Sequence, residues 1–182
     1  MEQPAETLTF DQVELRRWRA SDVGTLNRVV TESLPHLLPW MPWASAYDHT
    51  TIAEYLTRSE GEWESGQAYS YAITSGGAVI GSCGLMRRIG PGGLEIGYWL
   101  HPGWTGRGLA TMAAAALLRQ GFALAEIDRI EIHHDAANRA SEAVPRRLGF
   151  TEVERVPVPG GPETQGEAGI DVIWRIESSA AS

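Results

Sequence analysis

The spacing of apolar residues changes period several times along the chain, and each change marks an element. Val13 to Arg17 alternates enough to predict a first strand. Ser21 or Asp22 then offers an N-cap, and Val23, Leu26 and Val30 fall on one face of a helix. That helix should stop before Leu34-Pro35, because the residue before a proline is pushed out of the helical region. Pro35 to Trp43 holds three prolines and two tryptophans and is too proline-broken for either regular element. Thr51-Ile-Ala-Glu54 matches a capping box, which starts a second helix running to about Glu64.

From there the period becomes two. Tyr69, Tyr71 and Ile73 alternate with small residues up to the hairpin turn Ser75-Gly-Gly77, and Val79 to Met86 returns. A second turn, Gly90-Pro-Gly-Gly93, leads into Leu94 to Leu100, which completes an antiparallel meander. Helical spacing resumes from Gly106 to about Glu126, with Leu109, Met112/Ala113, Ala116/Leu117 and Leu124 on one face. Then follow a strand (Arg129 to Asp135), a short helix closed by Gly149, and a strand (Phe150 to Val156). A Gly/Pro-rich loop and a last strand, Ile170 to Ile176, end the pattern. The order βαα-βββ-α-β-α-ββ is that of an α+β domain with a mixed sheet. One domain over 8–177 accounts for the whole pattern, with 1–7 and 178–182 as flexible termini.

Composition narrows the partners. The chain has 182 residues, and 15 basic against 23 acidic side chains give a formal net charge of −8. Nucleic acids and anionic membranes demand a basic surplus that this chain lacks, whereas a cationic amine would be attracted. No secretory signal is legible in Met1 to Phe10, and the most apolar run, Gly108 to Leu118, is too short to span a bilayer. The single cysteine, Cys83, fits a reducing compartment. These features point to a cytoplasmic protein.

The candidate chemistry lies in Trp99-Leu-His-Pro-Gly-Trp-Thr-Gly-Arg-Gly-Leu-Ala-Thr111, a strand, a glycine-containing loop and a helix start in succession. Unpaired N–H groups and the positive dipole end of a helix make such a junction an anion site. A Walker A loop has the right glycine spacing at Gly103 and Gly108 but needs Lys and Ser/Thr where Leu109 and Ala110 stand. A Rossmann fingerprint fails at Thr111 and expects a parallel unit around the loop.

Thr105-Gly-Arg-Gly-Leu-Ala110 resembles instead the [QR]-x-x-G-x-[GA] signature of the GNAT acetyltransferases. The likeness extends to Leu94-Glu-Ile-Gly-Tyr-Trp-Leu-His-Pro102, Asn138-Arg-Ala-Ser141 and Leu148-Gly-Phe150, in the manner of the RimJ/RimL branch. The resemblance implies a mostly antiparallel seven-stranded sheet, splayed between its fourth and fifth strands and flanked by about four helices. It implies acetyl-CoA as co-substrate, no metal, and transfer of acetyl to a primary amine, either a protein N-terminus or a small molecule. The pyrophosphate would lie on Thr105, Gly106, Arg107, Gly108, Leu109, Ala110 and Thr111. Pantetheine would lie on the backbone of Trp99, Leu100 and His101 and on Asn138.

Chemistry then needs a base and an acid. Glu95, on the strand face of Gly97 and Trp99, is the first candidate base, and Glu131 the second. The alternative for Glu95 is a carboxylate held in an ion-pair network. Many GNAT enzymes carry a tyrosine where Pro145 stands, which leaves Ser141 as the polar group near the sulfur. Ser141 could equally be a helix-surface hydroxyl, and Asn138 a helix N-cap. Trp40 and Trp43 would wall the acceptor pocket or form a proline-braced packing cluster.

Thr105 replaces the Gln/Arg of the signature, so one phosphate contact is altered. Together with Pro145 it keeps a second function open, a non-catalytic acetyl-CoA-binding sensor. Related enzymes are often homodimers, and nothing in the sequence fixes an interface. His133 and Asp135 share a strand face but leave a metal site short of ligands.

Overall fold

The computed structural model of the chain describes residues 2–178. In chain order its elements are β1 (Thr7–Phe10), β2 (Val13–Arg17), α1 (Val23–Leu37), α2 (His49–Ser65), β3 (Ala68–Ser75), β4 (Ala78–Met86) and β5 (Gly93–Leu100). Then come α3 (Leu109–Ala123), β6 (Arg129–Asp135), α4 (Arg139–Arg147), β7 (Thr151–Pro157) and β8 (Ile170–Glu177). The strands form one sheet in the order β1-β2-β3-β4-β5-β6-β8-β7, antiparallel throughout except where β5 meets β6.

Strand alternation divides the core between two faces. Leu94, Ile96, Ile130 and Ile132 pack with Ala113 and Leu117 of α3 on one side. On the other, Trp18 and Ala72 pack with Leu26 and Val30 of α1 and Ile52 and Leu56 of α2. β5 carries both faces, with Leu94, Ile96, Tyr98 and Leu100 toward α3 and Glu95, Gly97 and Trp99 away from it.

Several boundaries differ from expectation. The sheet has eight strands rather than seven, because Thr7–Phe10 doubles back on β2 through Asp11 at φ 52°, a conformation aspartate tolerates better than most residues. The segment before it makes contacts with the sheet. Pro4 is buried, the Ala5 carbonyl accepts from the Tyr71 hydroxyl at 2.8 Å, and Glu6 pairs with Arg17 at 2.9 Å and Arg19 at 2.6 Å. At the other end Ser178 N donates to Asp128 O at 2.9 Å; residues 1 and 179–182 lie outside the described residues.

α1 runs through Pro35 to Leu37. The proline sits in the last turn, where it removes one hydrogen bond, and Leu38 N donates to Leu34 O at 2.9 Å to close the helix. Its buried stripe is Leu26, Val29, Val30, Ser33 and Leu37, and Val23 at the first position is exposed. The capping box of α2 is Asp48 with Thr51, not Thr51 with Glu54: Thr51 N donates to Asp48 Oδ1 at 2.9 Å, and Asp48 N to Thr51 Oγ1 at 3.1 Å.

β5 and β6 pair only from Gly93 to Ile96 against Arg129 to Ile132. Beyond that point β5 stays with β4 as far as Leu100, and β6 stays with β8 as far as Asp135, so the two strands part. Asp135 ties the far side of the opening. Its carboxylate accepts from Ala137 N and Ala168 N at 2.8 Å, Gly169 N at 2.9 Å and Ile170 N at 3.3 Å. Burial works against the charge, but these N–H groups outweigh it and hold the carboxyl below the usual aspartate range. Asp135→Ala should therefore cost about 1–3 kcal/mol and open the 158–169 loop to limited proteolysis. In the unsubstituted protein the contribution should be present above the ordinary aspartate range and fade as pH falls through the depressed value.

Candidate functional site

The parting of β5 and β6 leaves main chain to be satisfied. In a strand the N–H and C=O of one residue point the same way and successive residues alternate. His101 N donates to Ile80 O at 2.7 Å, and Trp99 O points at Gly81, where a Cβ would stand 2.2 Å from it. Trp99 and His101 therefore direct their main chain to β4. Tyr98 and Leu100, between them in register, direct theirs into the opening. Of Trp99, Leu100 and His101, only Leu100 turns its main chain into the opening, and Tyr98 joins it.

Past the strand, a short turn at Pro102–Trp104 leads to the loop before α3. Gly106 and Gly108 sit at φ 76° and 74°, which is why α3 begins at Leu109 rather than Gly106. The first hydrogen bond of α3 runs from Met112 N to Gly108 O at 3.1 Å. The N–H groups of residues 106–111 have no acceptor among the described residues, so the loop and helix start offer a row of donors with a positive dipole end behind it. A Cβ on either glycine would meet nothing of the protein within 4 Å, so the space before the loop is open. Thr105 turns its hydroxyl inward to Pro102 O at 3.0 Å, and Arg107 lies over Trp104 at 5.1 Å and donates to Gly103 O at 3.2 Å. This arrangement fits a pyrophosphate bound through main-chain donors with one arginine beside it.

Glu95 and Ser141 lie on opposite sides of the opening. On the α3 face the Tyr98 hydroxyl donates to Ser141 O at 3.1 Å and links β5 to the first turn of α4; burial pushes this phenol up and keeps it neutral. Asn138 caps α4, accepting from Ser141 N at 3.3 Å, and the Ser141 hydroxyl has no partner among the described residues. On the other face Trp99 meets Trp43 with ring centroids 6.1 Å apart. Trp40 follows the end of α1 through Trp40 N to Leu37 O at 2.9 Å and makes no comparable ring contact. The α1–α2 connection is latched to the β7–β8 loop, because Pro39 O accepts from both Thr164 Oγ1 and Gly166 N.

A row of charges crosses this same face. Glu95 is 5 % exposed and is clasped by Arg88, with Nε and one terminal nitrogen each 2.6 Å from a carboxylate oxygen. Glu131, level with it on β6, takes Arg175 at 2.6 Å and His133 at 2.7 Å, and His133 reaches Asp171 at 3.3 Å. Burial lowers the His133 imidazole, but hydrogen bonds to Asp171 and Glu131 and the field of Glu95 overcome it and raise the group to about 9. Glu131 is held low, its burial outweighed by His133 and Arg175. Both candidate bases thus carry cationic partners, Arg88 and Arg175, that the spacing of the sequence did not pair with them. Tyr98 was also missed, since its alternation with Leu94, Ile96 and Leu100 reads as core. His133 and Asp135 are each committed to protein partners, and no group of three or more His, Cys, Asp or Glu among the described residues could hold a metal.

The acetyltransferase (GNAT) domain model matches residues 12–151. The chain belongs to this family. It is an acetyl-CoA-dependent N-acetyltransferase. YdaF of Bacillus subtilis (strain 168), provisionally named a ribosomal N-acetyltransferase, is 26% identical over 147 residues, 78% of this chain and 79% of that protein. RimL, a ribosomal L7/L12 alpha-N-protein acetyltransferase solved with coenzyme A, superposes with a TM-score of 0.87 at 22% identity. The match covers 96% of this chain and 99% of RimL. Mycobacterium smegmatis RimJ, solved with CoA-disulfide, gives a TM-score of 0.82 at 25% identity over 95% of this chain and 86% of RimJ.

Two outcomes are expected of this acetyltransferase. Gly106→Val or Gly108→Val should cost only about 1–2 kcal/mol of stability, the strain of a left-handed residue, while calorimetric titration shows CoA binding abolished. A folded variant that binds CoA normally would contradict the loop assignment. His133, raised from 6.5 to about 9, should add stability that is complete below pH 6.5 and lost as pH rises toward 9. His133→Gln should remove that part of the fall in Tm across the interval.

Proposed function

We propose that the enzyme moves acetyl from acetyl-CoA to a primary amine by direct transfer in a ternary complex. The observation that carries this reading is the opening between β5 and β6. One edge has the unpaired main chain of Tyr98 and Leu100 leading to the donors of residues 106–111, and one face carries both Glu95 and, farther along β5, the Trp43–Trp99 pair. Both substrates would meet at a single gap, which supplies the proximity that a two-substrate transfer needs.

Acetyl-CoA supplies the acetyl thioester. The main-chain N–H groups of Tyr98 and Leu100 hold pantetheine and polarise the thioester carbonyl. Trp43 and Trp99 hold the acceptor. As the N–C bond forms and the C–S bond breaks, the amine proton passes to Glu95, directly or through a water. Arg88 takes one site on each oxygen, and each oxygen keeps a second lone pair to receive that proton with the ion pair intact. The Ser141 hydroxyl, without a partner among the described residues, hydrogen-bonds the departing thiolate and relays a proton to it from water.

Among amines a protein N-terminus is the preferred acceptor, since the names of YdaF and RimL refer to ribosomal substrates and RimL to an alpha-amino group. Small-molecule amines are the other branch of the same chemistry. Ribosomal-protein substrates would put the enzyme in the cytoplasm. No helix among the described residues is long and apolar enough to cross a membrane. Thr105, whose hydroxyl donates to Pro102 O, and Pro145 inside α4 are where this chain departs from the side chains the signature supplies.

Thiol release from acetyl-CoA over a panel of N-terminal peptides and small amines tests the transfer. A stimulated rate is expected with at least one primary amine, whereas CoA binding with no stimulation by any of them would contradict transfer to a primary amine. Glu95→Gln should leave CoA affinity unchanged and lower turnover about 10²-fold. Unchanged turnover would remove Glu95 from the chemistry.

A further inference from the structure

We propose that the His101 side chain, oriented by Glu32 of α1, is a positioning residue that sets the phosphate loop. The proposal rests on the reading that residues 106–111 hold the CoA phosphates. The main chain of His101 is committed to β4, but its ring is not idle. Gly103 N donates to His101 Nδ1 at 2.9 Å, so Nδ1 must present a lone pair. That places the ring proton on Nε2, which lies 3.1 Å from Glu32 Oε2 and donates to it. The other oxygen of Glu32 takes Arg28 at 3.4 Å, which holds the carboxylate in place along α1.

The clamp continues into the loop. The carbonyl of Gly103, whose N–H His101 holds, accepts from Arg107 at 3.2 Å, and Arg107 lies over Trp104. The imidazole packs so close to Gly103 that a Cβ there would stand 3.1 Å from Nδ1 and 3.2 Å from Cε1. One hydrogen-bonded path therefore runs from Glu32 through His101 and Gly103 to Arg107. It fixes the turn immediately before the two left-handed glycines. A loop set in advance loses less freedom when an anion binds, so the clamp should appear in cofactor affinity. The helix that orients His101 also leads into the Trp40–Trp43 segment, so the two substrate regions share one brace.

Calorimetric titration of CoA into the full chain, alongside thermal melts, tests this. His101→Ala should weaken CoA binding about three- to tenfold, the effect of one lost hydrogen bond, with Tm nearly unchanged. His101→Asn should restore most of the affinity, because its amide oxygen can accept from Gly103 N. Glu32→Ala should weaken CoA binding in the same direction, although Glu32 lies on a helix outside the loop. Nitrogen-15 spectra of the histidines should show the Nε2–H tautomer at His101. Binding by His101→Ala within twofold of the unsubstituted protein would overturn the proposal, as would equal losses in the Ala and Asn variants. Failure of the unsubstituted protein to bind CoA would instead overturn the phosphate-loop reading on which it rests.

Discussion

The separation of β5 from β6 after four paired positions is the constraint on which the rest of the site depends. Main-chain groups in a sheet interior must find partners, and an opening in mid-sheet persists only where something else satisfies them. Here each strand keeps its outer neighbour, β4 for β5 and β8 for β6, so the sheet is stable on both sides of a gap in its middle. The gap creates an unpaired β-edge at Tyr98 and Leu100, and the chain then passes directly into the donor-rich start of α3. Strand, loop and helix end thus form one continuous hydrogen-bonding track suited to a long, jointed, anionic ligand.

Charge acts locally in this molecule. The overall excess of acid suggested an entrance attractive to amines, yet the carboxylates beside the opening are matched by cations. Glu95 has Arg88, Glu131 has Arg175, and Asp171 shares His133 with Glu131. On α4, Glu142 likewise engages Arg139 and Arg146. The loop before α3 offers main-chain donors and Arg107, and the other face presents the Trp43–Trp99 pair and the ion-paired carboxylates. Such a face stays ordered without presenting a large net field, because each buried carboxylate has a partner that offsets its desolvation.

The sequence carried the order of elements and the place of the anion loop, since both rest on local signals: period two for the meander, glycines at Gly106 and Gly108, and Asn138 before a short helix. It did not carry β1, because four alternating residues are too few to stand out without the Asp11 turn that folds them back. Pro35 misled in the other direction, since a proline in the final turn removes only one hydrogen bond. The exchange of Trp99 and His101 for Tyr98 as a source of free backbone depends on register. A one-residue shift reverses which groups face the gap, and composition holds no record of it. The partners of Glu95 and Glu131 come from strands and loops brought together by the sheet, which periodicity within one segment cannot show.

Residue-resolved amide exchange with and without CoA tests the track most directly. Without CoA, Tyr98, Leu100 and residues 106–111 should exchange fast, while Trp99 and His101, bonded to β4, should be protected. Adding CoA should slow Tyr98, Leu100 and the loop together and leave Trp99 and His101 unchanged. Slowing confined to Trp99 and His101, or none at Tyr98 and Leu100, would contradict the account.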